Sequence, residues 1–202
     1  MAASCTDAVL ALFLALAPTV TPLSSKPPAD LAAGVAARLT PAAQVALGAT
    51  TLEIWLVQQL TRSADGPGWS SVDSGTLVGA MRVSGDFKEI RGKVVKPGVY
   101  TLRYGLQPQN GDHLGISTYR DFLLLSPAGI DQDPKVLGFD GVVALSKEVI
   151  GTAHPASLSL DPPEGAPGNV LSTYQNEHGH DGVVLQIGSL KFGLIVSGLI
   201  VH

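Results

Sequence analysis

Cysteine is nearly missing from this 202-residue chain, where Cys5 stands alone. A single thiol ahead of an apolar N-terminal run leaves no disulfide framework and, once that run is removed, no thiol chemistry. Charge is sparse too. Asp, Glu, Lys and Arg make up 15% of the residues, the formal net charge is −4, and the thirteen basic residues are scattered. Phosphate backbones are held by grouped Lys and Arg, and aromatic residues reach only 5%, so a DNA or RNA partner is not expected. Catalytic signatures are missing as well: there is no Gly-x-Ser-x-Gly elbow, phosphate loop, dinucleotide fingerprint or His-Glu-x-x-His pair. Hydrolytic and nucleotide chemistry therefore lack a nucleophile or a cradle.

What the chain does have is apolar and turn-forming residues, with 45% hydrophobic residues beside 23 Gly and 14 Pro. That mixture suits an all-β domain with many turns. Residues 8–20 form an uncharged run too short to span a bilayer, followed by a Pro-rich stretch over 21–30. The outline is that of a signal peptide within residues 1–25, which implies export to the periplasm, the cell envelope or the medium. One mature domain over 31–202 is then expected. A buried N-terminal helix ended by Pro18 is the other reading of the run. At the far end, the apolar stretch 183–201 raises a membrane span, but Lys191 and the glycines at 188, 193 and 198 favour a terminal hairpin instead.

The clearest element is Pro97-Gly98-Val99-Tyr100-Thr101-Leu102-Arg103-Tyr104-Gly105-Leu106, whose even-numbered residues share one face at the period of a half-buried strand. It leads into a long loop over 107–119 and returns as a strand at 121–125. Further strands are expected at 34–39, 43–47, 51–60, 76–83, 156–160, 169–174, 182–187 and 192–200, with two short ones split by Gly92 between 87 and 95. One helix is expected over 140–150, capped by Asp140 and ended by Gly151. The sum is an immunoglobulin-like antiparallel β-sandwich.

The Pro-Gly-x-Tyr-x-Leu pattern resembles the tyrosine-corner strand of such sandwiches, which would make Tyr100 the corner. More broadly, the strand 97–104, the Gly111-Asp112-His113 loop and Tyr119-Arg120-Asp121-Phe122-Leu123-Leu124-Leu125 resemble a group of uncharacterised exported bacterial proteins over residues 52–198. The resemblance implies export and a β fold, and it brings no assigned activity.

Residues able to do chemistry fall in loops. Trp69, in the polar loop 62–71, reads as an aromatic platform for a sugar. His113, Tyr119 and Arg120 are the contact groups of the 107–119 loop. In Glu177-His178-Gly179-His180-Asp181, two imidazoles at i and i+2 face one side of an extended backbone, a spacing that suits zinc or copper with His113 as a third ligand. A polar hairpin turn is the plainer reading. Asp131 and Asp133 read as loop carboxylates and His154 as a turn residue. The expected function is a non-catalytic exported module that binds a protein or glycan without a cofactor; metal binding through His178, His180 and His113 is the alternative.

Overall fold

A computed structural model of the chain describes residues 17–109 and 119–198. In chain order the elements are β1 (Thr19–Pro22), α1 (Ala33–Ala36), β2 (Leu39–Leu47), β3 (Thr50–Val57), β4 (Leu77–Val83), β5 (Phe87–Lys88), β6 (Val94–Val95), β7 (Gly98–Leu106), β8 (Asp121–Pro127), α2 (Gly138–Ile150), β9 (Ser157–Asp161), β10 (Thr173–Gln175), β11 (Asp181–Ile187) and β12 (Leu190–Ser197). The protein is mainly β and antiparallel, as expected. Ten strands form one continuous sheet in the order β1-β2-β3-β4-β7-β8-β9-β12-β11-β10, curled into a nearly closed, barrel-like layer; β5 and β6 pair separately.

Register keeps one face of that sheet apolar from end to end. Val45 lies opposite Leu52 and Ile54 opposite Met81. The face continues through Met81 with Tyr100, Leu102 with Leu125, Leu123 with Leu158, Leu160 with Leu194, and Leu194 with Val183. All are buried in a single cluster. Since each fully buried Leu, Ile or Val contributes roughly 1.5–3 kcal/mol, slipping any one pair of strands by a residue would turn this face outward and forfeit it. Strand β9 joins the two halves: residues 157–159 pair with β8, and residues 160–161 pair with β12.

Strand β7 lies on the even-numbered register expected of it, except that Leu106 emerges 40% exposed. The Tyr100 hydroxyl donates to the Lys96 carbonyl at 2.8 Å. Its odd-numbered face is not solvated. Thr101 and Arg103 are buried under α2, which packs across β8 and β7, and under the strap 131–137 that precedes it. Helix α2 ends at Gly151, whose φ of 61° permits the left-handed cap and whose N–H donates to the Lys147 carbonyl. Asp140 is not its cap. Leu137 holds that position without a side-chain bond, and Asp140 sits in the first turn, where its charge suits the helix dipole.

Two expectations change near the N-terminus. The Ala-rich stretch holds a single helical turn, α1, before β2, which runs past Pro41 by means of a register shift between Pro41 and Ala43. The folded unit also starts ahead of residue 31: β1 pairs with β2, Leu23 is buried, and the Trp55 indole donates to the Ser25 carbonyl at 2.8 Å. At the other end, β11 and β12 form the expected hairpin, and no helix among the described residues is long and apolar enough to cross a membrane.

Candidate functional site

Trp69 is not a surface platform. It is 6% exposed, stacked on Tyr104 of β7 with centroids 5.2 Å apart and set edge-on to Phe192 of β12, also at 5.2 Å. Because β8 and β9 separate β7 from β12 in the sheet, one indole can meet both rings only inside a strongly curled layer. The loop 62–71 thus folds inward and contributes Trp69 to the core. Its sequence context, polar residues and glycines on either side, reflects the backbone bonds of the loop: the Arg62 guanidinium donates to the Gly66 and Gly68 carbonyls.

Arg103 and Asp131 form a pair that strand alternation and loop composition do not reveal. Arg103 has no exposed surface, yet all five of its N–H groups are used. Nε and Nη2 hold the Asp131 carboxylate in a fork at 2.6 and 2.7 Å. Nη1 donates to the carbonyls of Gly75 at 2.7 Å and Lys135 at 2.8 Å, and Nη2 to that of Asp133. Thr101 donates its hydroxyl to the same carboxylate. A buried ion is tolerated only when paired and fully hydrogen-bonded. Here the complete set pins the strap 131–137 onto the sheet, which makes Asp131 a structural anchor. Asp133 turns its own carboxylate to the Lys135 N–H at 3.0 Å. The signal in the sequence was an Arg in the middle of an otherwise apolar strand.

His113 lies outside the described residues. Arg120 does not face outward as a free contact group: Nε and Nη2 donate to the Gln107 carbonyl at 2.9 and 2.6 Å, closing the base of the loop. Tyr119 is the described residue of that loop that reaches a cluster. Its hydroxyl lies against Gly165, and its environment carries the charges of Glu177, Asp161 and Glu164. Tyr119 therefore lies at the same rim of the sheet as Gly165 and the 175–181 turn.

That rim is built on Asp161, the last residue of β9, which is 3% exposed. Its Oδ2 accepts from the Tyr174 hydroxyl at 2.9 Å and from Asn176 Nδ2 at 3.2 Å. Asn176 in turn shapes the following turn, its side-chain oxygen accepting the His178 and His180 N–H groups at 3.0 Å each. The Tyr174 ring lies flat over Gly182 and Gly193, where any side chain would overlap it. The two imidazoles have ring centroids 6.0 Å apart, and Glu177 lies 3.7 Å from His178. No group of three or more metal-ligating side chains occurs among the described residues.

The phenols respond to these surroundings. Burial pushes the Tyr174 hydroxyl above its ordinary range, helped by the Asp161 charge and hydrogen bond and by Tyr119. Tyr104 rises for the same leading reason, with further contributions from its bond and proximity to Asp121, opposed by Arg120. Tyr119 is raised by desolvation and by the three carboxylates around it. The rim is thus a neutral, hydrogen-bonding aromatic pair set among acidic groups, an arrangement able to stack on an apolar face and to accept donors beside it. Comparison with protein-family models, curated proteins and solved structures finds no match, and no family is assigned to the chain.

Proposed function

We propose that the chain is an exported, non-catalytic β-sheet module that binds a protein or glycan in the cell envelope through the rim of Tyr119, Glu164, Asn176 and Glu177. The observation that carries this reading is Tyr119 lying beside Gly165 in the field of Glu177, Asp161 and Glu164, because it sets an aromatic contact residue beside the 175–181 turn on a frame held by the Asp161 bonds. Binding residues on loops held by a rigid sheet are the usual arrangement in such folds. The Tyr100 corner bond supports the immunoglobulin-like comparison. The apolar run at 8–20 supports export; a leader ending by Pro18 leaves β1 whole, whereas one reaching residue 25 removes that edge strand.

The experiment is a binding screen of the mature protein against glycans and envelope proteins, with Tyr119→Ala and Glu177→Gln variants alongside. Ligand binding lost in both variants supports the reading. A ligand indifferent to both, or no ligand, sinks it.

One observation favours the metal reading as the alternative. Two imidazoles sharing one tetrahedral ion through bonds of about 2.0–2.1 Å have centroids about 5 Å apart; those of His178 and His180 are 6.0 Å apart, so side-chain rotations that close the gap by about 1 Å would let them share one. The ion would be zinc or copper, with His113 as a further ligand. Elemental analysis of protein purified without a histidine tag decides it: stoichiometric metal that disappears in a His178→Ala, His180→Ala variant establishes the alternative, and metal-free protein removes it.

A further inference from the structure

One ring carries the attachment of the loop 62–71 to the core. Every hydrogen bond this loop makes among the described residues ends within 62–73. Arg62 donates to Gly66, Gly68 and Ser71, the Ser63 hydroxyl to Asp73 at 2.8 Å, and the Ser70 hydroxyl to the Pro67 carbonyl at 2.6 Å. The Ser63 N–H donates to the Ser71 carbonyl at 3.0 Å and the Val72 N–H to the Trp69 carbonyl at 2.9 Å. Within 62–71 only Trp69 belongs to the core cluster. A compact loop with joined ends and its own internal bonds is an Ω-loop, and such segments open as units. We propose that the loop is a lid, that Trp69 is its plug, and that a small flat aromatic molecule takes the plug's slot when the lid lifts.

The slot lies at a mouth of the curled sheet. Tyr104 stands two residues before the end of β7 and Phe192 two residues after the start of β12. Through the antiparallel pairings of β7 with β8, β8 with β9 and β9 with β12, these are the same end of the sheet. The Tyr104 ring lies parallel to Trp69 within 6°, and the Phe192 ring meets it at 73°. One face and one edge are thus offered to any flat ring. Tyr104 keeps its position without the plug, because its hydroxyl donates to Asp121 at 2.6 Å.

Trp69 is an imperfect occupant of its own slot. The other indole, that of Trp55, donates to the Ser25 carbonyl, whereas Trp69 Nε1 is buried with no hydrogen-bond partner among the described residues. An unpaired buried donor opposes the burial of the ring that carries it. Lifting the lid returns that N–H to water, and an incoming ring without a donor meets no such cost. The closed slot is full, so the ligand binds only the open form and shifts the equilibrium toward it. The open form is the minor one, and both indoles stay buried on average.

NMR of the native protein tests this through the two indole N–H signals. Trp69 Nε1–H is expected to exchange with solvent at least about tenfold faster than Trp55 Nε1–H under conditions where the sheet stays folded. The Ser63 amide, bonded inside the lid, is expected to exchange more slowly than Trp69 Nε1–H. Toluene at millimolar concentration should move the Trp69 signal toward that of solvent-exposed tryptophan, while methylcyclohexane, of similar size but puckered, should leave it in place. Trp69→Ala should bind toluene at least about tenfold more tightly than the native protein, since no plug then competes for the slot. If that variant does not fold, the native-protein signals decide the matter alone. Exchange of both indoles only on global unfolding, an unmoved Trp69 signal in toluene, or an equal response to methylcyclohexane would overturn the proposal.

Discussion

At the scale of single residues, Arg103 shows how a charge can hold an apolar protein together. Its five bonds are complete only while Asp131 and the strap carbonyls are in place, so removing one partner leaves an uncompensated buried ion. Asp131→Ala is expected to cost about 3–5 kcal/mol in urea unfolding, whereas Asp133→Ala, whose carboxylate is more than half exposed, should cost well under about 1 kcal/mol. The four tyrosines give a pH prediction. All have hydroxyls raised above the ordinary value near 10, so their contribution to stability is fully present below about pH 10. Above it the unfolded chain releases protons that the folded chain retains, and stability falls as pH rises. Phenolate absorbance should therefore lag behind free tyrosine and arrive together with unfolding; a full phenolate signal in folded protein at pH about 10 would contradict this. Residue roles were the least legible part of the sequence. A Trp among polar neighbours reads as exposed and an Arg on the odd face of a strand reads as solvated, because local pattern carries no information about a loop folding inward or a strap laid over a sheet.

Secondary elements were far more legible, since period and turn chemistry are local. Strands β3, β4, β7, β8 and β11 lie close to their expected positions, and α2 ends at the glycine expected to close it. The misreadings come from competition between local signals: Gly34 and Pro41 argued against a helix and a long strand, yet Val35 gains burial from one helical turn and a register shift carries β2 past the proline. Glycines inside strands had a further meaning. Gly182 and Gly193 are flat ground for the Tyr174 ring, a requirement visible only once β10, β11 and β12 are adjacent. Gly193→Ala should push that ring off Asp161 without unfolding the sheet. One phenol would then titrate nearer to about 10 in the folded protein, and a spectrophotometric titration indistinguishable from wild type would refute the packing.

For the whole molecule, the sequence supported a mainly β antiparallel domain but could not supply the pairing of β9 with both β8 and β12, which depends on contacts far apart in the chain. That pairing turns one sheet around a single core, and it brings Trp69 between Tyr104 and Phe192. Its two edges are short strands, β1 ending in Pro22 and β10 of three residues, which limits edge-to-edge association. With Trp55 and Trp69 both buried, tryptophan emission should resist quenching by acrylamide until the protein unfolds. The curl also brings Tyr119, just ahead of β8, to the rim that holds Asp161 and the 175–181 turn, and the proposed function rests on that meeting. The most direct test is the affinity of Tyr119→Ala, relative to the native protein, for whichever glycan or envelope protein binds. A loss of at least about tenfold is expected if the rim is the binding surface, and an unchanged affinity would contradict it.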